Sequence, residues 1–167
     1  RRDQFKEHEF YEYHLYTLQR KSTIRDNQMK QISLFPSAKT PIEKEYRYES
    51  TQGNKVKVYL EFKNEKKVDL GIPLPKGLVR VYKEGPDGGL EFVGEDRIDH
   101  TPTNEIVRIS TGNAFDVVGE KTRLDNKRRG DDNESEYLIK IRNQKRKDAI
   151  TVTVAETFYG DWELLSG

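Results

Sequence analysis

Two neighbouring stretches of strict alternation constrain the fold of this chain more than any other feature. Between residues 42 and 49, Ile42, Tyr46 and Tyr48 share their phase with Lys44 and alternate with the charged set Glu43, Glu45, Arg47 and Glu49. Between residues 55 and 63 the alternating apolar set is Val56, Val58, Leu60 and Phe62. A period of two places one set towards a core and the other in water, as in a β-strand. With the turn residues Thr-Gln-Gly-Asn between them, the two stretches predict an antiparallel hairpin.

Shorter runs of the same kind occur along the rest of the chain. Together with the hairpin they predict about ten strands, at 10–19, 31–35, 42–49, 55–63, 78–83, 90–93, 105–110, 114–120, 137–142 and 150–154. Pro86-Asp87-Gly88 predicts a turn, because proline presets φ, aspartate bonds its own backbone and glycine accepts positive φ. A further turn is predicted at 111–113. Residues 123–135, with one apolar residue, predict a mobile loop.

The composition favours a lean core. Hydrophobic residues make up 33% of the 167 residues and charged residues 35%. Two facing sheets use apolar residues sparingly, because each strand buries only alternate side chains. We therefore predict an all-β chain, an antiparallel β-sandwich of about ten strands that is immunoglobulin-like towards the hairpin predicted at 136–158. Residues 1–9 are predicted to be a flexible arm, and residues 10–167 a single sandwich domain.

Several classes of function are disfavoured by the composition and by the motifs. Thirty basic residues face 29 acidic ones, and a net charge of +1 argues against nucleic acid as a partner. The absence of cysteine excludes thiolate catalysis and cysteine-ligated metals. Neither a Gly-x-Ser-x-Gly elbow nor a phosphate loop occurs, and no apolar run approaches the ~20 residues of a membrane span. We predict no catalytic residue, no cofactor and no transmembrane segment.

One acidic cluster contains the candidates for a metal site. Asp96, Asp99 and His100 lie within six residues, and carboxylates beside an imidazole can hold a cation or carry out acid–base chemistry. The alternative is structural, since aspartates in loops accept backbone N–H bonds. The other two histidines, His8 and His14, have no spacing that indicates a zinc site with His100.

The last third of the chain contains an excess of basic residues. Ten basic residues face five acidic ones between 121 and 147, and the candidates for contact with a polyanion are Arg128, Arg129, Lys145 and Arg146. The alternative is that they keep hairpin turns soluble. Tyr59, on the charged side of its strand, is a candidate platform for a sugar ring, whereas most other tyrosines are expected to pack in the core.

Four segments carry a resemblance to a known family. They are FYEYHLYTLQRKSTIRDNQMKQISLF, LGIPLPKGLVRVYKEGPDGGLEFVGEDRIDHTP, GNAFDVVGEK and IRNQKRKDAITVTVAETFYGDWELL, spread between Phe10 and Leu165. They resemble a bacterial domain-of-unknown-function family that includes the C-terminal domain of mucoidy-inhibitor-like proteins. The resemblance implies a β-rich exported protein, in the periplasm or at the cell surface, and supplies no catalytic residues.

Members of that family continue beyond the Gly-Asp-Trp motif with further strands. The chain begins Arg1-Arg2-Asp3 without a methionine, and we expect a piece of a longer protein whose sheet is open at its C-terminal edge. The leading hypothesis is a non-enzymatic structural or interaction module of the cell envelope that binds a protein partner or a second copy of itself. The alternatives are a module that binds acidic carbohydrate or another polyanion and, third, a metal-dependent hydrolase.

Overall fold

The computed structural model describes residues 5–68, 70–146 and 149–166. Within them the chain forms nine strands: β1 (Phe5–Phe10), β2 (Tyr13–Leu18), β3 (Glu43–Glu49), β4 (Lys55–Lys63), β5 (Gly77–Glu84), β6 (Leu90–Ile98), β7 (Ile106–Arg129), β8 (Asp132–Asn143) and β9 (Val152–Ala155). The only helical segments among these residues are two short 3-10 turns, Ser50–Gln52 and Lys66–Val68. The prediction of an all-β chain is confirmed.

The strands are distributed over three sheets. Five of them form one sheet in the order β8-β7-β4-β3-β9, and the other four form two separate hairpins, β1–β2 and β5–β6. Every pairing is antiparallel except that of β3 with β9, which is parallel. The sandwich of ten strands and its immunoglobulin-like part are therefore not confirmed, because the strands do not divide into two sheets of comparable size.

The hairpin predicted from strict alternation is confirmed. Strand β3 pairs with β4 from Glu43↔Glu61 to Tyr48↔Val56, which places Tyr46 opposite Val58 and Tyr48 opposite Val56. The connection is the 3-10 turn Ser50–Gln52, and Gly53 follows it with φ of +85°. A residue without Cβ adopts that left-handed conformation at little cost, so the glycine closes the turn.

The turn predicted at 111–113 and the loop predicted at 123–135 are both wrong, because one strand of 24 residues, β7, runs through most of them. Gly112 has φ of +108° and lies at an irregularity in the pairing with β4, so it bends the strand without ending it. The distal half of β7 pairs with β8 and turns at Gly130 and Asp131. A two-stranded ribbon in solvent needs no alternation of apolar residues. Its charged composition therefore predicted a loop although the residues form two strands.

The C-terminal hairpin predicted at 136–158 is also wrong. Strands β8 and β9 lie at opposite edges of the five-stranded sheet, and β9 pairs with β3 from Tyr46↔Val152 to Glu49↔Ala155. Alternation identifies β9 as a strand but carries no information about its partner. Residues 147 and 148, between the two strands of the predicted hairpin, lie outside the described residues.

The N-terminal region differs from its prediction in three places. The strand predicted at 10–19 is interrupted by a turn at Tyr11 and Glu12, so Phe10 ends β1 and Tyr13 begins β2. Residues 5–9 of the expected arm belong to β1, which pairs with β2 from Phe5↔Leu18 to Phe10↔Tyr13, while residues 1–4 lie outside the described residues. Residues 31–35 form no strand. Phe35 packs instead edge-on against Tyr16, with ring centroids 5.8 Å apart, and contacts between side chains replace a backbone ladder there.

The core lies on one face of the five-stranded sheet. Its centre consists of Tyr46, Tyr48, Val56 and Val117, with Val56 fully buried. Gly119 belongs to the same face, and a Cβ added to it would lie 2.2 Å from the ring of Tyr48. The tyrosine ring therefore occupies the space that any other residue at 119 would need.

A buried asparagine connects the sheet to the crossing segment, residues 70–76, which leads from β4 towards β5. Asn64 is 0% exposed, and its side chain donates to the carbonyls of Ile72 (2.7 Å) and Pro102 (3.0 Å) and accepts the N–H of Gly71 (2.9 Å). Its backbone bonds Glu105 and Asn104. One side chain thus satisfies three backbone groups of two segments that have no ladder of their own.

The ribbon β5–β6 contacts the five-stranded sheet edgewise at β7. A Cβ added to Gly94 would lie 2.9 Å from the carbonyl oxygen of Thr111, so glycine allows the two backbones to approach. Beside it, the N–H of Ser110 donates to Oδ2 of Asp96 over 2.7 Å. This contact places the acidic cluster of β6 against the bend of β7.

Ion pairs maintain the distal ribbon of β7 and β8, and acid should loosen it. Arg142 of β8 hydrogen-bonds Glu120 of β7 and lowers the pKa of that carboxyl group, which links the two strands. Lys127 lowers the pKa of Asp125 in the same way, but within β7. A depressed carboxyl pKa contributes stability above the ordinary value of ~4, and the contribution disappears as the pH falls through the folded pKa. We expect the NMR Cα shifts of residues 120–136 to move towards random-coil values between pH 6 and pH 2.

In Arg142→Gln, part of this change should already be present at pH 6. Shifts that stay the same across the whole range would show that these ion pairs do not hold the ribbon.

Candidate functional site

The acidic cluster is structural in its main contacts. Asp96 is half-buried, and its two carboxylate oxygens accept the N–H groups of Arg97 (2.8 Å) and Ser110 (2.7 Å). Asp99 is exposed, and His100 Nδ1 lies 3.4 Å from the N–H of Lys76. In the described part of the chain no group of three His, Cys, Asp or Glu side chains is placed to hold a metal ion.

This arrangement predicts a role in docking for Asp96. Asp96→Ala removes the acceptor for the N–H of Ser110, and we expect the free energy of unfolding to fall by about 1–2 kcal/mol, the usual result of losing the partner of a backbone group. Denaturation in urea measures the change, and Asp99→Ala, which alters an exposed side chain, is the control. Addition of Ca²⁺, Zn²⁺ or Mn²⁺ should leave the Tm of both proteins unchanged. A rise in Tm that Asp96→Ala abolishes would instead identify a cation site.

The histidines are not brought together. His8 pairs with Leu15 and His14 pairs with Glu9. Paired residues share a face of the hairpin and successive residues alternate, so His8 and His14 lie on opposite faces of β1–β2. His14 Nδ1 is 2.7 Å from Glu7 Oε1 in an exposed pair. His100 follows β6, on a different ribbon.

The four polyanion candidates divide into two separate pairs. Arg128 and Arg129 lie near the tip of the β7–β8 ribbon, whereas Lys145 and Arg146 follow the other end of β8. The strand between them has 12 residues, which at ~3.4 Å per residue gives a separation of about 40 Å. Arg129 pairs with Glu134 (3.0 Å), and Lys145 lies 3.9 Å from Asp116. The structure does not assemble the four into one basic surface.

The tyrosines differ in their exposure. The prediction that most tyrosines pack in the core is wrong. Of the nine tyrosines, all within the described residues, Tyr46 and Tyr48 are buried, whereas five are exposed: Tyr11, Tyr13, Tyr82, Tyr137 and Tyr159. Tyr59 is only half-exposed, and the guanidinium of Arg108 lies 5.4 Å from the centre of its ring. One face of the proposed sugar platform is therefore already occupied by a cation.

The half-buried ion pair Lys121–Glu156 was not found from the sequence. Lys121 Nζ is 2.5 Å from Glu156 Oε2, which also accepts the hydroxyl of Ser50 (2.8 Å). The ammonium of Lys121 lies 4.3 Å from the ring centre of Tyr137. The pKa of the Tyr48 hydroxyl is raised, chiefly by burial and secondly by the negative charge of Glu156. The cluster fastens the segment after β9 across the core face. Residues about 35 positions apart in sequence give no local signal of such a pair.

A cleft of about 420 Å³ lies between the N-terminal hairpin and the crossing segment. Tyr16, Phe35 and Ile72 contribute apolar walls, and Glu7 and Lys6 lie at its margin. The Tyr16 hydroxyl donates to the carbonyl of Pro73 over 2.6 Å, and burial raises the pKa of that hydroxyl. The Tyr16 hydroxyl thus already has a partner in the crossing segment, and this hydrogen bond holds the hairpin β1–β2 against it.

The most extensive candidate for function is exposed apolar surface. On the outer face of β1–β2, Phe10 lies opposite Tyr13, and both are about 70% exposed (69% and 72%). At the tip of β5–β6, Tyr82 and Phe92 pack edge to face with centroids 5.7 Å apart, beside the exposed Leu90. After β9, the rings of Phe158 and Trp162 pack together with centroids 5.0 Å apart, and both side chains remain exposed.

The edges of the sheets are the second candidate. In the five-stranded sheet the edge strands are β8, with 12 residues, and β9, with four. Within the described ranges, residues 132–142 form no backbone hydrogen bond except those of the ladder with β7. A row of free N–H and C=O groups along an edge is a template for another strand.

Comparison with known proteins gives no relative from which a function could be transferred. No protein-family model, no curated protein and no solved structure matches the chain. Within the residues that the structure describes, no helix is both long and apolar enough to cross a membrane.

Proposed function

We propose that this chain is a non-enzymatic structural module of an exported bacterial protein, and that it works by associating with other β-structure through its open edges and exposed apolar faces. The accessible surface of the chain supports this most directly. It is 14216 Å² for a mass of 19.6 kDa, whereas a compact monomer of this mass exposes roughly 8,600 Å². A chain that leaves so much surface in water gains stability when a neighbour covers it.

The position of the exposed apolar residues supports the same proposal. They form groups on the outer faces of the two hairpins and beyond β9, in addition to single residues scattered over the surface. Soluble monomers rarely expose contiguous apolar patches larger than a few hundred Å², and larger ones mark contact surfaces. Aromatic residues are the ones most enriched in such contacts.

The sandwich predicted from the sequence becomes part of this proposal. The five-stranded sheet would gain the strands it lacks from a partner molecule or from a second copy, by addition at an edge. The resemblance to exported proteins supports a periplasmic or cell-surface location for that assembly. A polyanion-binding module has less support, because the four basic candidates lie in two pairs about 40 Å apart along a strand of 12 residues.

Analytical ultracentrifugation over a range of concentrations tests the proposal. We expect the weight-average mass to rise above that of the monomer, and the dye ANS to bind at low concentration and to be displaced as association proceeds. The variant Phe10→Ser/Tyr13→Ser, on the exposed face of the first hairpin, should reduce ANS binding while the far-UV spectrum stays that of β-structure. A strict monomer at all concentrations would count against association with itself. A monomer without bound ANS would refute the proposal.

A further inference from the structure

We infer that strand β8 pairs with β8 of a second copy, antiparallel, across a two-fold axis at Leu138, so that two five-stranded sheets become one sheet of ten strands. This deepens the proposed function and rests on it. Several edges of the molecule are open, but β8 is the longest strand at any of them. It contains neither proline nor glycine, and in the pairing with β7 the irregular position falls on β7, so charged side chains are the one usual protection of an edge that β8 has.

The order of charges along β8 is self-complementary. On one face the strand reads Glu134, Glu136, Leu138, Lys140 and Arg142, acidic at one end and basic at the other. Reversing the strand about Leu138 places Glu136 opposite Lys140 of the second copy and Glu134 opposite Arg142. Each of these pairs occurs twice because the interface is isologous. Leu138 lies opposite its own counterpart on the axis.

Glu136 and Lys140 carry most of the argument. Arg142 already pairs with Glu120 (2.6 Å) and Glu134 with Arg129 (3.0 Å), so those two side chains have partners in their own chain. Glu136 and Lys140 are exposed, and within the described residues neither forms a direct ion pair. Lys140 does lie opposite Glu120 in the pairing with β7, and Glu136 acts on Lys127 at longer range. Opposite charges placed directly across two strands stabilise the pairing, and like charges there oppose it.

The other face of β8 fits the same register. Tyr137 would lie opposite Ile139 of the second copy, and Ser135 opposite Ile141. Ile139 and Ile141 pack against the core on the apolar face of the sheet, and Tyr137 remains 42% exposed beside them. The pairing therefore continues an apolar face across the axis and keeps the charged face in water.

Geometry limits the alternatives. In an antiparallel pair only alternate residues direct their N–H and C=O groups towards the partner, so the two-fold axis must pass through a residue. An axis at Tyr137 would place Glu136 opposite Leu138, and one at Ile139 would place Lys140 opposite Leu138. Only the axis at Leu138 pairs both Glu136 and Lys140 with opposite charges of the second copy.

Charge exchange tests the interface. Glu136→Lys alone and Lys140→Glu alone each place like charges opposite each other twice, and we expect each to weaken self-association at least about tenfold. The double variant Glu136→Lys/Lys140→Glu should restore it. An equimolar mixture of the two single variants should form a mixed dimer, because each then presents the charges that the other lacks. Recovery in the mixture also shows that both variants are folded.

A cysteine probe tests the register, since the chain has no cysteine of its own. Leu138→Cys should form an intermolecular disulfide under mild oxidation, because residues directly opposite in an antiparallel pair lie within disulfide range. Thr122→Cys is the matched control. Thr122 is the partner of Leu138 on the neighbouring strand β7, so the two copies of position 122 are separated by both β8 strands and should not form a disulfide. Lys140→Cys should also stay monomeric on a non-reducing gel.

The outcomes separate the inference from the proposed function. Association that is unaffected by both single charge variants, with no cross-link at position 138, would overturn the β8 interface while leaving an associating module in place. A protein that remains monomeric throughout would overturn the inference and count against self-association as well.

Discussion

Asn64→Leu should lower the free energy of unfolding by about 4 kcal/mol, as measured by denaturation in urea. The substitution leaves the N–H of Gly71 and the carbonyls of Ile72 and Pro102 without the partners that Asn64 supplies. Each backbone group that stays buried and unpaired costs about 1–3 kcal/mol. Leucine has the same branching and the same number of side-chain heavy atoms as asparagine, so the substitution leaves no cavity. Because total stabilities are about 5–15 kcal/mol, the crossing segment should become sensitive to proteases.

Two further variants at asparagines sharpen the result. Asn113→Leu changes an exposed asparagine of β7, and the free energy of unfolding should stay within about 0.5 kcal/mol of the wild-type value, as for most surface substitutions. Asn64→Asp keeps an acceptor for Gly71 but replaces two donors with a buried charge that faces two carbonyls. It should be at least as destabilising as leucine. Equal stabilities for Asn64→Leu and Asn113→Leu would show that the buried hydrogen bonds are not what fixes the crossing segment.

Gly119→Val should be the second strongly destabilising change, by about 3 kcal/mol or more. The added Cβ would lie 2.2 Å from a ring carbon of Tyr48, a side chain that is itself 1% exposed and has no room to withdraw. Overpacking of a core of this kind usually costs about 1–3 kcal/mol, and the close ring places this site at the upper end. Thermal and urea denaturation both report the loss.

Gly77→Val is the control for Gly119→Val. Gly77 also lies in a strand, but it is exposed, and the nearest atom to an added Cβ is 4.0 Å away. That variant should have nearly the stability of the wild type. In addition, Gly119→Val combined with Tyr48→Leu should be less destabilised than the sum of the two single variants, because the smaller side chain relieves the clash. Strict additivity would place the effect of valine elsewhere in the molecule.

The local part of the fold was predictable because it depends on periodicity and turn chemistry. The hairpin of β3 and β4 follows from alternation, and the turn of β5 and β6 follows from Pro86-Asp87-Gly88, where Asp87 accepts the N–H of Gly89 as expected. Both signals act between residues close in sequence. The same reasoning ended β7 too early, because a glycine that bends a strand resembles a glycine that ends one.

The partners of the strands were not predictable. Nothing in Val152–Ala155 shows that it pairs with β3 in parallel and not with β8, since only tertiary contacts decide between them. The distal ribbon was missed for the opposite reason: its stability depends on cross-strand pairs such as Arg129–Glu134, whereas apolar periodicity reports only burial.

The candidate sites illustrate the same limit. Asp96 accepts backbone N–H groups, which is the structural alternative considered from the sequence, but it does so from strand β6 and not from a loop. The basic residues were grouped by sequence, and a strand of 12 residues separates them in space. In the sequence, Asn64 is the first of the four polar residues Asn64-Glu65-Lys66-Lys67 that follow the predicted strand, and nothing distinguishes it from the others. Its burial depends on segments near residues 71 and 102, and a local sequence window contains neither contact.

The parallel pairing of β3 with β9 has a consequence for biosynthesis. About a hundred residues separate the two strands, so at translation rates of 5–20 residues per second β3 waits roughly 5–20 s on the ribosome before its outer neighbour exists. During that interval the nascent hairpin of β3 and β4 carries an unpaired edge and a tyrosine-rich face. Pairing at such sequence separation is also slow, because loop closure comes before any gain from the contacts. Synthesis therefore exposes the core residues Tyr46 and Tyr48 to chaperones well before the sheet can cover them.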